Sequence, residues 1–274
     1  MLIDAHLHVW RIGRNDCAWP TQDLAAIHRD FGLEDLKAAG APVGLSGGVL
    51  VQSQPSDRDT AWLLDLAATE PLVLAVVGWS DLAAPDAPVR IADLARRPKL
   101  RGLRPMLQTL DDDAWILAPA LEPAIAAMVA HDLTFDALVL PRHLPHLLTF
   151  ARRWPDLPIV IDHGAKPDIA AGRLEPWRAG INALAAQPNV FCKLSGLLTE
   201  AGPEPSAQAM APYVAHLVEV FGPQRLMWGS DWPVLNLAGD YAGWLDLSRR
   251  LGGLTQPDDL AALFGETARR FYRL

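Results

Sequence analysis

Cysteine is nearly missing from this sequence: Cys17 and Cys192 are the only two in 274 residues. They show no Cys-x-x-Cys spacing and are too few for a disulfide framework in so long a chain. Both are expected to be free thiols in a reducing compartment. Positive charge is also short. Lys and Arg number 24 against 32 Asp and Glu, and the resulting charge of −8 argues against nucleic acid as a partner. No apolar run approaches the roughly 18–20 residues of a membrane span. The most apolar stretch, 116–130, is interrupted by Pro119, Glu122 and Pro123. A strand-like pattern starts directly after Met1, so a cytoplasmic protein without a signal peptide is expected. Neither a Gly-x-Ser-x-Gly nucleophile elbow nor a Gly-x-x-x-x-Gly-Lys phosphate loop is expected, which sets aside two large reaction classes.

What is present is regular. Half the residues are hydrophobic and a fifth are charged, enough apolar material for a sizeable core. Eight short β-like runs occur, at 2–10, 47–53, 72–79, 99–106, 133–140, 158–164, 189–196 and 225–232. Most are apolar on both faces, as strands covered by helices are. Between them, stretches such as 57–70, 121–132, 144–155, 175–188 and 208–222 repeat apolar residues at helical spacing. The C-terminal 257–274 reads as one or two closing helices. Eight strands alternating with helices predict a single-domain (β/α)8 TIM barrel over residues 1–274. A doubly wound sheet is the other reading, but it would carry a Gly-rich turn after its first strand, where this chain has "HLHVW". The long segment 11–46 between the first two strands is expected to fold over one barrel end.

Barrel active sites form at the C-terminal ends of the strands. Strict alternation in the first strand puts Asp4, His6 and His8 on one face, taken here as inward, and Ile3, Leu7 and Val9 on the other. His163 follows the apolar run of strand six, and Asp231 follows "LMWGS" in strand eight. Three histidines and a carboxylate can bind one divalent ion through imidazole nitrogens and an oxygen, or polarise a carbonyl without a metal. Asp231 can act as general base on water. Gln52, Arg104, Lys166, Lys193 and Asn236 are candidates for a polar rim, and Trp79 and Trp232 for a stacking wall. A structural reading competes for each of these, since barrel rims also use such residues in plain hydrogen bonds.

"DAHLHVW", "DHGAKP" and "WGSDWPV", in that order and at strand ends, resemble the amidohydrolase superfamily. More narrowly they resemble its amidohydrolase-2-like branch of L-fuconolactonases, L-rhamnonolactonases and 2-pyrone-4,6-dicarboxylate lactonase. The resemblance implies a hydrolase that opens a cyclic ester of small-molecule size. His6, His8 and His163 would hold a metal or the substrate carbonyl, and Asp231 would take a proton from water. One divalent ion is implied, zinc first, or none. Many members supply a Lys or Glu from strand five to bridge two metals, whereas strand five here offers only Asp136, so a two-metal site is not expected. A mixed polar rim favours a sugar lactone. The alternatives are a pyrone dicarboxylate lactonase and a metal-dependent decarboxylase of the same superfamily. A homo-oligomer is left open.

Overall fold

The computed structural model describes residues 1–274. Every expected strand forms: β1 Leu2–Leu7, β2 Leu45–Val51, β3 Val73–Gly78, β4 Leu100–Leu103, β5 Thr134–Ala137, β6 Ile159–Ile161, β7 Val190–Leu194 and β8 Leu226–Trp228. They pair in parallel in the order β1 to β8, with helices between them, as in a (β/α)8 barrel. Capping side chains set the start of several helices. Ser56 accepts from Arg58 N and Asp59 N ahead of the helix Asp57–Thr69, and Asp240 accepts from Gly243 N ahead of the helix Tyr241–Gly252. No helix is long and apolar enough to cross a membrane. The spelling Gly-x-Ser-x-Gly does occur at Gly44–Gly48. It lies at the entering end of β2 with Ser46 exposed, so it leads into a strand and makes no elbow.

The barrel closes at its mouth. β8 is short, and the seam with β1 is carried past its end by His8 N donating to Trp232 O at 2.7 Å and Asp231 N donating to His6 O at 2.8 Å. The backbone that shuts the barrel therefore also sets Asp231 beside the two histidines.

Strict alternation fails in β1. Ile3 and Ala5 belong to an interior cluster with Val49, Val77, Val160 and Met227, sealed from below by Phe271 and Tyr272 of the C-terminal helix. The expected inward placement of Asp4 is corrected: its side chain faces outward. Asp4 Oδ2 accepts from Tyr241 Oη at 2.7 Å, on the helix after β8. Its Oδ1 accepts from Ser230 N at 2.9 Å and from His6 N at 3.0 Å. A register irregularity between Asp4 and Leu7 shifts the phase and lets His6 turn inward. Asp4 is thus a strut tying β1 to the segment that carries Asp231. Replacing it with Ala leaves three buried donors unpaired at about 1–3 kcal/mol each. Asp4→Ala is expected to lose about 3 kcal/mol or more in urea unfolding; an unchanged midpoint would remove the strut from the account.

Of the segment 11–46 expected as a cover, residues 11–32 form it, as a strap without regular structure, while the rest is the helix Leu33–Gly40 and a short 3-10 turn leading into β2. The strap's two ends meet at a bridge between Trp10 and Phe31. Its middle is clasped to the loop after β2. Gln54 Oε1 accepts from Ala18 N and Trp19 N, while Gln54 Nε2 donates to Trp19 O at 2.7 Å. Asp16 accepts from Ser56 Oγ and Arg58 Nε.

Candidate active site

Three imidazoles surround one carboxylate oxygen at the barrel mouth. Asp231 Oδ1 lies 3.3 Å from His8 Nε2, 3.7 Å from His6 Nε2 and 3.8 Å from His163 Nε2. His6 Nε2 and His8 Nε2 are 3.1 Å apart. All four side chains are buried. The backbone is forced to deliver them. His163 has φ 53° and Asp231 has φ 59°, left-handed conformations that side chains rarely adopt. Two glycines make room: a Cβ at Gly196 (φ +64°) would meet the His163 ring at 2.6 Å, and one at Gly229 would meet His6 Cβ at 2.8 Å.

The electrostatics follow from burial and proximity. Burial holds the His163 imidazole down at about 4, with Asp231 pulling the other way. Burial likewise holds His6 well below the ordinary range, though Asp162 opposes it. Burial would raise Asp231, but the three imidazoles outweigh it and keep the carboxyl below its usual range. The site therefore combines a carboxylate held ionised with two rings, His6 and His163, whose charged form burial disfavours.

The residues fit a divalent cation. One donor atom each from His6, His163 and Asp231 lie within 4.8 Å of one another. Hydrogen-bond partners behind the rings orient them: His8 Nδ1 is 2.7 Å from Val51 O, and His163 Nδ1 is 2.9 Å from Ser195 Oγ. Asp136 of β5 is not free to bridge a second ion. Its Oδ2 accepts from Lys193 Nζ and from Tyr272 Oη, both at 2.6 Å.

A cavity of about 350 Å³ opens above this cluster, and His8, His163 and Asp231 face it. Arg104 and Lys166 line it as expected. Arg104 donates to Asp162 Oδ2 at 3.3 Å and to Gln52 O, and its buried Nε has no partner. Lys166 Nζ stands 3.6 Å from Glu200. The other rim candidates do not line the cavity. Gln52 lies behind Arg104, donating to its carbonyl at 2.9 Å. Asn236 sits in a turn beyond Asp231. Trp79 pairs its backbone with Thr60, and Trp232 packs on Phe31 as part of the core. The indole that does line the cavity is Trp19, joined there by Gln54, Met106 and Gln108. Nothing in the local pattern of the strap signals that role, because long-range contacts, the Gln54 clasp among them, bring it over the mouth.

Asp59, buried beneath the loop Ser53–Gln54, was also hidden from sequence. Burial pushes its carboxyl up to about 7, while amide donors from that loop pull it down. A carboxyl raised in the folded state stabilises the fold at low pH and loses that contribution as pH rises from the ordinary carboxylate range through about 7. The urea midpoint is expected to fall as pH rises from about 4 to about 7, and Asp59→Asn to flatten that fall. A wild-type slope that survives in the variant would assign it elsewhere.

A family model described as amidohydrolase matches residues 3–274. The chain is 56% identical over 280 residues to an L-fucono-1,5-lactonase of Burkholderia ambifaria, covering 99% of this chain and 95% of that one. It is 37% identical to an L-fucono-1,5-lactonase of Burkholderia multivorans, covering 99% and 96%. A crystal structure of a Burkholderia multivorans amidohydrolase with bound zinc superposes with a TM-score of 0.95 at 36% identity, covering 100% and 99%.

Proposed function

The chain belongs to the amidohydrolase family, and from that premise we propose that it hydrolyses the cyclic ester of a sugar acid, a 1,5-lactone of the L-fucono type in first place. The observation that carries this reading is Asp231, a buried carboxylate ringed by three imidazoles on the wall of a cavity sized for one sugar ring. Two relatives bearing the L-fucono-1,5-lactonase name match it over nearly the whole chain.

The chemistry we assign to the residues is as follows. Asp231 takes a proton from a water molecule as it attacks the lactone carbonyl; when the tetrahedral adduct collapses the ring C–O bond breaks, and Asp231 returns that proton to the departing hydroxyl oxygen. The carbonyl oxygen gains negative charge, which N–H groups of the histidine cluster stabilise where those nitrogens hold no metal. Lys166 and the unpartnered Arg104 Nε–H face ring hydroxyls. Trp19 offers an apolar face to the sugar, with Gln54 holding it in place. His6, His163 and Asp231 would hold a divalent ion, which we take to be zinc. A bound zinc ion supplies Lewis-acid polarisation of the carbonyl.

The test is a pH-indicator assay of purified protein on L-fucono-1,5-lactone, other sugar-acid lactones and 2-pyrone-4,6-dicarboxylate, with and without chelator. A sugar lactone opened faster than the others is the expected result. The reading fails if no lactone is opened faster than it hydrolyses spontaneously. Trp19→Ala is expected to raise KM about tenfold, roughly 1.4 kcal/mol of ring contact, with kcat nearly unchanged. A fall in kcat with unchanged KM would place Trp19 outside the binding wall.

A further inference from the structure

Asp59 is a buried acid that the chemistry above does not use. It stands in the first turn of the helix Asp57–Thr69, buried, and does not line the cavity. Ser56 caps that helix, and an acid three residues after such a cap ordinarily reaches back to the cap's own amide. Here that amide is taken, because Ser56 N donates to Gln54 O at 2.8 Å. Asp59 turns instead to the loop in front of the helix. Its Oδ2 accepts from Ser53 N at 3.3 Å, and Gln54 N is directed at the same carboxyl. Neither amide has a backbone acceptor. Ser53 and Gln54 are themselves buried, and buried amides need a partner. Ser56 already caps the helix, and Asp59 Oδ1 has no partner, so the burial of this acid serves the turn.

We infer that Asp59 is a positioning residue: it anchors the Ser53–Gln54 turn and, through the side chain of Gln54, holds Trp19 over the cavity. The links are continuous. Gln54 Nε2 donates to Ser53 Oγ at 3.1 Å and to Trp19 O at 2.7 Å. Gln54 Oε1 accepts from Ala18 N at 3.2 Å and from Trp19 N at 3.4 Å. With its amide group engaged in this way, Gln54 passes the position of its own backbone on to the strap. That backbone is placed by Asp59.

The strap has a second fastening that does not pass through Asp59. Asp16 accepts from Ser56 Oγ and Arg58 Nε. Loss of the anchor should therefore loosen the strap at Ala18 and Trp19 without detaching it. That Trp19 faces a sugar ring rests on the function proposed above; the anchor itself does not.

Two measurements test the inference, and the first needs no substrate. Amide hydrogen exchange is followed by NMR at Ala18 and Trp19. Asp59→Ala is expected to speed both amides about tenfold by easing local opening. Asp59→Asn keeps an acceptor and is expected to stay within about threefold of wild type. The second measurement is kinetic. On the accepted lactone, Asp59→Ala is expected to raise KM about fivefold or more with kcat nearly unchanged. In both measurements Asp59→Ala/Gln54→Ala should match Gln54→Ala alone, because the two residues act in series. Effects that multiply in the double variant overturn the inference. So does acceleration confined to the slowest barrel amides, which marks a global loss of stability. If Asp59→Ala does not fold, Asp59→Val takes its place, filling the space without an acceptor. If neither folds, Asp59 is a determinant of the fold and the assignment falls. If no lactone is turned over, the lactone reading fails while the exchange measurement still decides the anchor.

Discussion

Asp231→Asn is expected to lower turnover on the accepted lactone by about three orders of magnitude, within the range a positioned general base contributes. Asn matches Asp in size and can accept one hydrogen bond, but it cannot take a proton from water. Burial alone would make Asp231 a stronger base by raising it; the three imidazoles instead keep it ionised. The variant should retain its fold, because the seam is held there by the backbone of Asp231 and its neighbours, not by the carboxylate. Circular dichroism with steady-state kinetics decides. Unchanged turnover of every accepted substrate would remove Asp231 from the mechanism, and lost folding would make it a structural residue.

His6→Asn is expected to lower turnover by at least about a hundredfold, comparable to losing one donor at a developing oxyanion. His6 stands at the centre of the cluster, its ring centroid 4.9 Å from that of His8 and 4.4 Å from that of His163. Asn is shorter and cannot span from Lys193 to the cavity side as the two ring nitrogens do. The substitution also removes a potential ligand, so zinc binding should weaken in the same variant. Near wild-type turnover would leave His6 as a packed ring of the barrel interior. Protein unable to fold would point the same way.

Much of this site was legible because each of its parts is local. His-x-His closes the first apolar run, "DHG" closes the sixth and "GSD" closes the eighth. A barrel gathers strand ends, so motifs hundreds of residues apart meet at one mouth. The positions that were misplaced depend on departures from regularity. Alternation put Asp4 inward with His6, and the irregularity after Asp4 turns it outward to Tyr241. Trp79 and Trp232 sit at strand ends, yet they pack away from the cavity while Trp19 reaches it from an irregular strap. Helices such as Ala87–Ala95 and Tyr241–Gly252, which lie outside the stretches named as helical from spacing, complete the outer layer.

The sequence by itself determined the alternation of strands and helices, and with it the barrel and the ends where chemistry gathers. It also determined the donor types at those ends, since residue identity sets what can ligate, accept or release a proton. Only the tertiary structure decided which of those groups touch. That Lys193 stands behind His6, that Gln54 fastens Trp19 over the mouth, and that the seam bonds set Asp231 beside His6 and His8 are contacts between residues far apart in the chain. Such contacts follow from barrel closure and side-chain packing in three dimensions, which no local spacing encodes.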